Sequence, residues 1–233
     1  MTKKFATICS VLAVMALGVN SALAGMVMFT SNIALQSTNW DEVIADIPEF
    51  SDTLPGVPSG SVLTKVTVML TGDIAGTARY ESLDAAATVV ELNLEAIISL
   101  TTPVAIMDVV VQPVANVMDN ATAFDGSNDF NGSSGGTFAD LNGQEIDMKM
   151  YNSLADLALF SGVGFLNLPV TADGTSSGTG GGNLVTQFIT DAGAEVKVIY
   201  DFRTNDIPEP ASALLLGLGC VALLNRPKRR QAA

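Results

Sequence analysis

The stretch TVVELNLEAII, residues 88–98, decides the fold class of this chain. Its apolar positions fall on every second residue, at Val90, Leu92, Leu94, Ala96 and Ile98, and Glu91, Asn93 and Glu95 lie between them. A period of two puts all the apolar side chains on one face of an extended strand. The stretch therefore predicts a β-strand with one buried face and one solvated face.

The same alternation recurs in residues 61–71, 146–151 and 194–203. The side chains predicted to be buried are Val62, Val66, Val68 and Leu70 in the first stretch, Ile146, Met148 and Met150 in the second, and Val196, Val198, Tyr200 and Phe202 in the third. Charged residues such as Asp147 and Lys149 are expected to face solvent.

Less regular apolar runs at 27–35, 103–111, 163–170 and 184–190 complete a set of eight or nine short strands. Residues 153–159 are the one stretch with a helical pattern. Glycine-rich segments separate the runs; the longest, residues 173–182, is interpreted as a hairpin loop rather than a flexible linker. Many short strands with polar turns predict an all-β fold, an antiparallel β-sandwich of jelly-roll-like form.

The N-terminus has the pattern of a cleaved export signal. Two lysines precede the apolar run 5–19, and the small residues Ala22 and Ala24 flank Leu23. This order predicts cleavage by signal peptidase after Ala24, with Gly25 as the first mature residue. An uncleaved membrane anchor is the alternative, but the run is short and ends in small residues.

The C-terminus ends in an apolar segment, residues 211–225, followed by the basic residues Arg226, Lys228, Arg229 and Arg230. As a helix of about 1.5 Å per residue it reaches about 22 Å, short for a hydrocarbon core of about 30 Å. The basic residues are expected to stay cytoplasmic. Pro208 and Pro210 prevent helix from extending backwards, so Pro208-Glu209-Pro210 is expected to be extended just outside the membrane.

Composition limits the chemistry that the chain performs. There is no histidine, and the two cysteines, Cys9 and Cys220, lie in the terminal apolar segments. Zinc and copper sites of the usual kind and Ser-His-Asp or Cys-His catalysis are therefore excluded from the domain between them. Residues 25–207 carry five basic and 23 acidic side chains, a net charge of −18. Such a surface repels nucleic acid and favours solubility.

The order of the C-terminal elements resembles the PEP-CTERM sorting signal of Gram-negative bacteria that make extracellular polysaccharide. The resemblance implies that Pro208, Glu209 and Pro210 are the recognition motif of an exosortase, a membrane protease-transpeptidase. Ile207 in place of valine and Pro227 within the basic cluster are mild departures. A plain C-terminal anchor and a buried core helix are the alternatives.

The middle of the chain is similar to the choice-of-anchor E domain of exported bacterial proteins. The segments that carry the resemblance are Ile47–Phe50, Ser61–Gly72, Asp129–Phe138, Asp156–Gly164 and Asn183–Phe188. It covers most of residues 25–202 and implies no activity, so no catalytic residue is assigned. The predicted organisation is a signal peptide at 1–24, a β-sandwich at 25–205 and a sorting signal with a transmembrane helix at 206–233.

Three further patterns have functional and structural interpretations. The segment Asp125–Gly132 has the alternating oxygen ligands of a calcium loop, but neither register fits an EF-hand, and a polar hairpin turn is favoured. Trp40 and Tyr80 are candidates for sugar stacking, although a core or hairpin role is favoured. The 23 acidic residues permit a carboxylate pair for glycoside hydrolysis, but no pair stands out. No cofactor is predicted; calcium remains an alternative.

The function that follows is that of a non-enzymatic exported protein, linked through the resemblance to exopolysaccharide or biofilm. The predicted partners are signal peptidase, exosortase and, transiently, the inner membrane. The final location is the cell surface, the outer membrane or the extracellular matrix. A carbohydrate-binding adhesin with extracellular polysaccharide as partner, a secreted hydrolase and a purely structural matrix protein are the alternative hypotheses.

Overall fold

The computed structural model describes residues 24–204, and these form ten β-strands and one short helix. The elements are β1 (Ala24–Ser37), β2 (Trp40–Ile44), β3 (Ser61–Ser82), β4 (Thr88–Leu100), β5 (Val109–Val111), β6 (Val114–Ala121), β7 (Gly135–Tyr151), α1 (Leu154–Leu159), β8 (Leu168–Gly174), β9 (Ser177–Thr179) and β10 (Leu184–Thr204).

The strands form two antiparallel sheets. The first sheet has the order β1-β10-β3-β7, and the second has the order β2-β8-β4-β5, with β6 and β9 also paired to β4. The chain passes repeatedly from one sheet to the other, so most neighbours in a sheet are distant in sequence. The predicted all-β class and antiparallel sandwich are confirmed at this level.

A single large core lies between the two sheets. It contains Leu70, Val198 and Tyr200 from the first sheet and Leu94 and Ile98 from the second, each with an exposed fraction of 0%. A smaller cluster around Tyr80 and Leu92 extends it. The alternation predicted for residues 88–98 and 194–203 is confirmed, because every apolar residue on the expected face is buried.

The helix also agrees with the sequence pattern. It starts after Ser153, whose hydroxyl accepts a hydrogen bond from the Asp156 backbone N–H at 3.1 Å. A serine at this position satisfies a backbone donor that has no partner within the helix. Leu157 is its buried residue, so the helix covers one end of the core.

The prediction that Val62 is buried is wrong. The pairing of β10 with β3 shifts between Asp201 and Phe202, which lie opposite Lys65 and Leu63, so Thr64 is an extra residue in β3. A bulge of this kind exchanges the faces of the residues beyond it. Leu63 is consequently buried and Val62 is 41% exposed.

Two predicted boundaries also differ from the structure. Residues 184–190 and 194–203 were expected to be separate strands, but both belong to β10, which continues unbroken along β3. The loop 173–182 is not a hairpin loop, because β8 and β10 belong to different sheets. It crosses between the sheets, and its β9 segment pairs with β4.

Candidate functional site

Strand β7 presents three apolar side chains to solvent. Tyr151, Lys149 and Asp147 lie directly opposite the buried Val66, Val68 and Leu70 of β3, so they share the core-side face of the sheet. Ile146, Met148 and Met150 therefore point outward, with exposed fractions of 54%, 52% and 63%. The prediction that these three are buried is wrong. Asp147 and Lys149 are solvent-exposed as expected, although they lie on the core-side face of the sheet.

The polar groups on the core side of β7 explain this inversion. The edge of the sandwich at β7 faces the segment after β4, which offers hydrogen-bonding partners rather than apolar contacts. The backbone N–H of Gln112 donates to the Glu145 carboxylate, and Lys149 forms an ion pair with Asp108. Polar side chains on the core-side face of an edge strand also discourage pairing with other chains.

The outward residues of β7 continue across the first sheet into a face that we call the methionine face. Cross-strand pairing aligns Met28, Ile199, Thr67 and Met150 in one row. The next row aligns Thr30, Lys197, Met69 and Met148. The methionine face consists of Met26, Met28, Met69, Ile146, Met148, Met150 and Ile199. Flexible thioether side chains of this kind adapt to varied partners.

A shallow depression of about 710 Å³ adjoins the methionine face on the same side of the sheet. Met69 and Ile146 contribute apolar surface, and the polar lining comprises Asn32, Thr71, Asp73, Asn142, Gln144, Glu195 and Lys197. The Gln144 Nε2 donates to the Asp73 Oδ1 at 2.7 Å. Paired amides and carboxylates beside an apolar floor suit the recognition of a polyhydroxylated ligand.

A second polar cluster surrounds Asp108, whose side chain has no exposed area. Its carboxylate accepts hydrogen bonds from Thr102 at 2.6 Å and from Tyr151, and it pairs with Lys149. Burial acts to raise the pKa of Asp108, but the hydrogen bonds from Lys149, Thr102 and Tyr151 outweigh it and lower that pKa below its ordinary value. The cluster anchors the segment after β4 to β7.

Burial is also the main cause of the raised pKa of Tyr151, and the hydrogen bond to Asp108 adds to it. The phenol therefore remains a protonated donor to the carboxylate. A neutral donor held by a buried, ionised acceptor is a stable structural pair rather than a group poised for proton transfer.

The loop that invited a calcium interpretation uses its carboxylates on its own backbone. Asp125 accepts from the Ser127 N–H at 3.0 Å, and Asp129 accepts from the Asn131 N–H at 3.0 Å. The buried Glu81 accepts from Ser134 and from the Phe130 N–H. Within the part of the chain that the structure describes, no three His, Cys, Asp or Glu side chains group as metal ligands.

Neither aromatic candidate for sugar stacking lies on an open surface. Tyr80 is 1% exposed and donates its hydroxyl hydrogen to Asp119 at 2.8 Å. Trp40 packs against the core and donates from Nε1 to the Ala192 carbonyl at 3.2 Å. A core role is confirmed for Tyr80, and Trp40 is a partly buried residue that packs against the core.

Only part of the predicted processing sites falls within the described residues. Ala24 and Gly25 begin β1 and lie opposite Arg203 and Phe202 of β10. Ala22, the motif Pro208-Glu209-Pro210 and the basic residues Arg226, Lys228, Arg229 and Arg230 lie outside the described residues. Between residues 24 and 204 there is no helix long and apolar enough to span a bilayer; the predicted transmembrane helix also lies outside that range.

The sequence did not reveal the methionine face or the depression beside it. The alternation in 146–151 identified the residues but assigned them to the core. The charged residues in this stretch gave no warning, because β10, in the middle of the first sheet, has the same alternation with Glu195, Lys197 and Asp201.

Comparison with known proteins adds little. No family model matches the chain, and no curated protein matches it. Among solved structures, one of the infectious bursal disease virus Gx strain is 9% identical in sequence. The match covers 88% of this chain and 50% of the viral chain, with a TM-score of 0.20. A structure of the VP2 subviral particle of the same virus is 11% identical in sequence, covers 89% of this chain and 49% of the viral chain, and has a TM-score of 0.19. The chain spans about half the length of these chains, and the similarity is too low to inform its function.

Proposed function

We propose that this chain is an exported, non-enzymatic β-sandwich protein that an exosortase sorts to the cell surface, the outer membrane or the extracellular matrix. The observation that carries the proposal is the order of Pro208-Glu209-Pro210, the apolar segment and the basic residues near the C-terminus, combined with an N-terminal export signal. The proposed association with exopolysaccharide or biofilm follows from the same resemblance.

The positions of the predicted cuts are compatible with an intact domain. Within the described residues 24–204 these cuts remove only Ala24, the first residue of β1, so the interior of the sandwich is left whole. Ala24 also lies opposite Arg203, so the start of β1 and the end of β10 are adjacent in the first sheet. A domain with this layout remains intact when segments are removed from both ends.

In the proposed sequence of events, signal peptidase cuts after Ala24 while the inner membrane holds the C-terminal segment transiently. Arg226, Lys228, Arg229 and Arg230 keep that segment in place from the cytoplasmic side. The exosortase then cuts at or near Pro208–Pro210, which releases the domain or transfers it to another attachment.

The strand order supports a jelly-roll form of the sandwich. Successive strands β1, β2, β3 and β4 alternate between the two sheets, and β7, β8 and β10 do so again. Two interleaved halves of this kind are typical of double-sheet jelly rolls. A rigid sandwich between two removable segments is the architecture that we assign to the mature protein.

The sorting motif provides the direct test of the proposed function. In the full chain, Pro208→Ala with Glu209→Ala and Pro210→Ala is expected to leave the protein in the inner-membrane fraction. The matched control, Asn205→Ala with Asp206→Ala, changes adjacent residues and is expected to be processed normally. Processing of the triple variant at the normal rate would contradict the proposal.

Carbohydrate binding is a second candidate function, and the depression beside the methionine face favours it. The Gln144–Asp73 pair offers one amide and one carboxylate to sugar hydroxyls. Asp73→Ala and Gln144→Ala are expected to reduce retention on the producing cell's polysaccharide at least about tenfold, because each removes a charged or amide hydrogen bond. Asp173→Ala, an exposed carboxylate elsewhere, is the control. Equal retention of all variants would exclude this surface.

A further inference from the structure

Strand β1 forms a long free edge of the first sheet. It pairs with β10 on one side and has no strand on its other side within residues 24–204. It is 14 residues long, and its backbone on the free side presents donors and acceptors that a further strand can use. Its second half lies beside β2, separated from it by a groove of about 690 Å³.

The first ten residues of this edge lack the devices that usually prevent strand pairing. The segment AGMVMFTSNIALQS contains no charged residue and no proline. The opposite edge, β7, contains Glu145, Asp147 and Lys149, and Asp140 there has a φ of 57° beside a register shift. The edge strand β2 contains Asp41 and Glu42. Of the three edge strands β1, β2 and β7, only β1 has no charged residue.

A bulge limits the regular part of β1 to its first ten residues. The register with β10 shifts between Ile33 and Gln36, so the strand is regular from Ala24 to Ile33. Within this part Met26 and Met28 are 63% and 52% exposed and belong to the methionine face. Apolar side chains of this size on a free edge are otherwise an aggregation hazard.

We propose that two copies of this chain pair through β1, antiparallel and about a two-fold axis, so that their first sheets join into one sheet of eight strands. In an isologous pair the same residues contact each other from both sides. Because opposite residues share a face, the two methionine faces lie on the same side of the joined sheet and form one continuous surface.

The charge distribution favours β1 over the charged edges β2 and β7 as the contact between two copies. Each copy carries a net charge of −18 over residues 25–207, so two copies repel one another at long range. Pairing through β1 brings together a segment with no charge. About ten residues on each side make a small contact, so we expect weak, micromolar association. The association is expected to strengthen with added salt, because salt screens the repulsion.

Cross-linking tests the contact without requiring a tight dimer. The full chain with Cys9→Ser and Cys220→Ser has no cysteine, so Met26→Cys, Met28→Cys and Thr30→Cys each provide a single thiol on the proposed contact. A short bismaleimide is expected to link two copies at one or more of these positions. Met150→Cys, equally exposed on the opposite edge, is the control and is expected to stay monomeric at the same protein concentration.

A second pair of variants tests the pairing in solution. Met28→Glu adds a charge near the middle of the regular part of β1. It is expected to weaken association at least about tenfold in sedimentation equilibrium, since like charges near each other oppose strand pairing. Met148→Glu adds the same charge on the same face at the other edge, and the dimer is expected to persist.

Three results would overturn the inference. The first is cross-linking of the β1 cysteines no faster than that of Met150→Cys. The second is cross-linking to a different protein instead of a second copy. The third is a dimer that Met28→Glu and Met148→Glu weaken equally. The inference does not depend on the proposed sorting by exosortase, so the two can fail separately.

Discussion

Gly76 illustrates how a single residue is fixed by the approach of two backbones. A Cβ at this position would lie 1.9 Å from the carbonyl oxygen of Ile189 on β10 and 3.3 Å from a methyl group of Leu94. Neither backbone can move away easily, because both strands are paired on both sides. Glycine is therefore required here by space rather than by an unusual backbone angle.

We expect Gly76→Ala to lower the free energy of unfolding by about 1–3 kcal/mol, because the added methyl group forces β3 away from β10. Gly182→Ala is the control, since a Cβ there has no atom within 4 Å, and its effect is expected to stay within about 0.5 kcal/mol. Urea denaturation of both variants measures the difference. Equal midpoints would show that the close approach is absent.

At the scale of elements, the strands differ in how well their sequences predict them. In β4 the alternating residues Val90, Leu92, Leu94, Ala96 and Ile98 face the core, because β4 lies in the middle of its sheet and faces the other sheet. In β7 the same period of two assigns the wrong face. Alternation identifies a strand and its two faces, but which face is buried depends on what lies opposite in the folded chain.

The inverted face of β7 leads to a mutational contrast. Met148→Thr is expected to change the free energy of unfolding by no more than about 0.5 kcal/mol, because Met148 lies on the outer surface. Leu70→Ala, in the core at 0% exposure, is expected to cost about 2–5 kcal/mol. Thermal or urea unfolding of both variants tests this. A large loss for Met148→Thr would mean that its side chain is buried after all.

The Asp108 cluster predicts a pH dependence of stability. A carboxyl group with a lowered pKa stabilises the fold above its ordinary pKa of 3.8, and this contribution is lost as the pH falls through the lower, folded value. Asp108→Asn is therefore expected to be less stable near neutral pH and to lose less stability on acidification.

Urea midpoints of the parent and of Asp108→Asn, measured from about pH 6 to about pH 2, test this expectation. Asp173→Asn controls for the loss of one negative charge on the surface. Parallel curves for the parent and Asp108→Asn would show that the carboxylate has no ionised role in the folded state.

For the whole molecule, the sequence predicts the antiparallel β-sandwich better than it predicts which residues form the methionine face. The sandwich is confirmed over the described residues 24–204. The surface depends on pairings such as Lys197 with Met69 and Met69 with Met148, which join strands far apart in the chain. A single sequence contains no local signal for such pairings.

The central claim is that both terminal segments are removed before the domain reaches its destination. Intact-mass measurement of the protein recovered outside the inner membrane, from cells with and without the exosortase, tests it most directly. We predict a mature chain that starts at Gly25 and ends at or near Pro208–Pro210, seen only when the exosortase is present. Mature extracellular protein that still contains Arg226 to Ala233 would contradict the account.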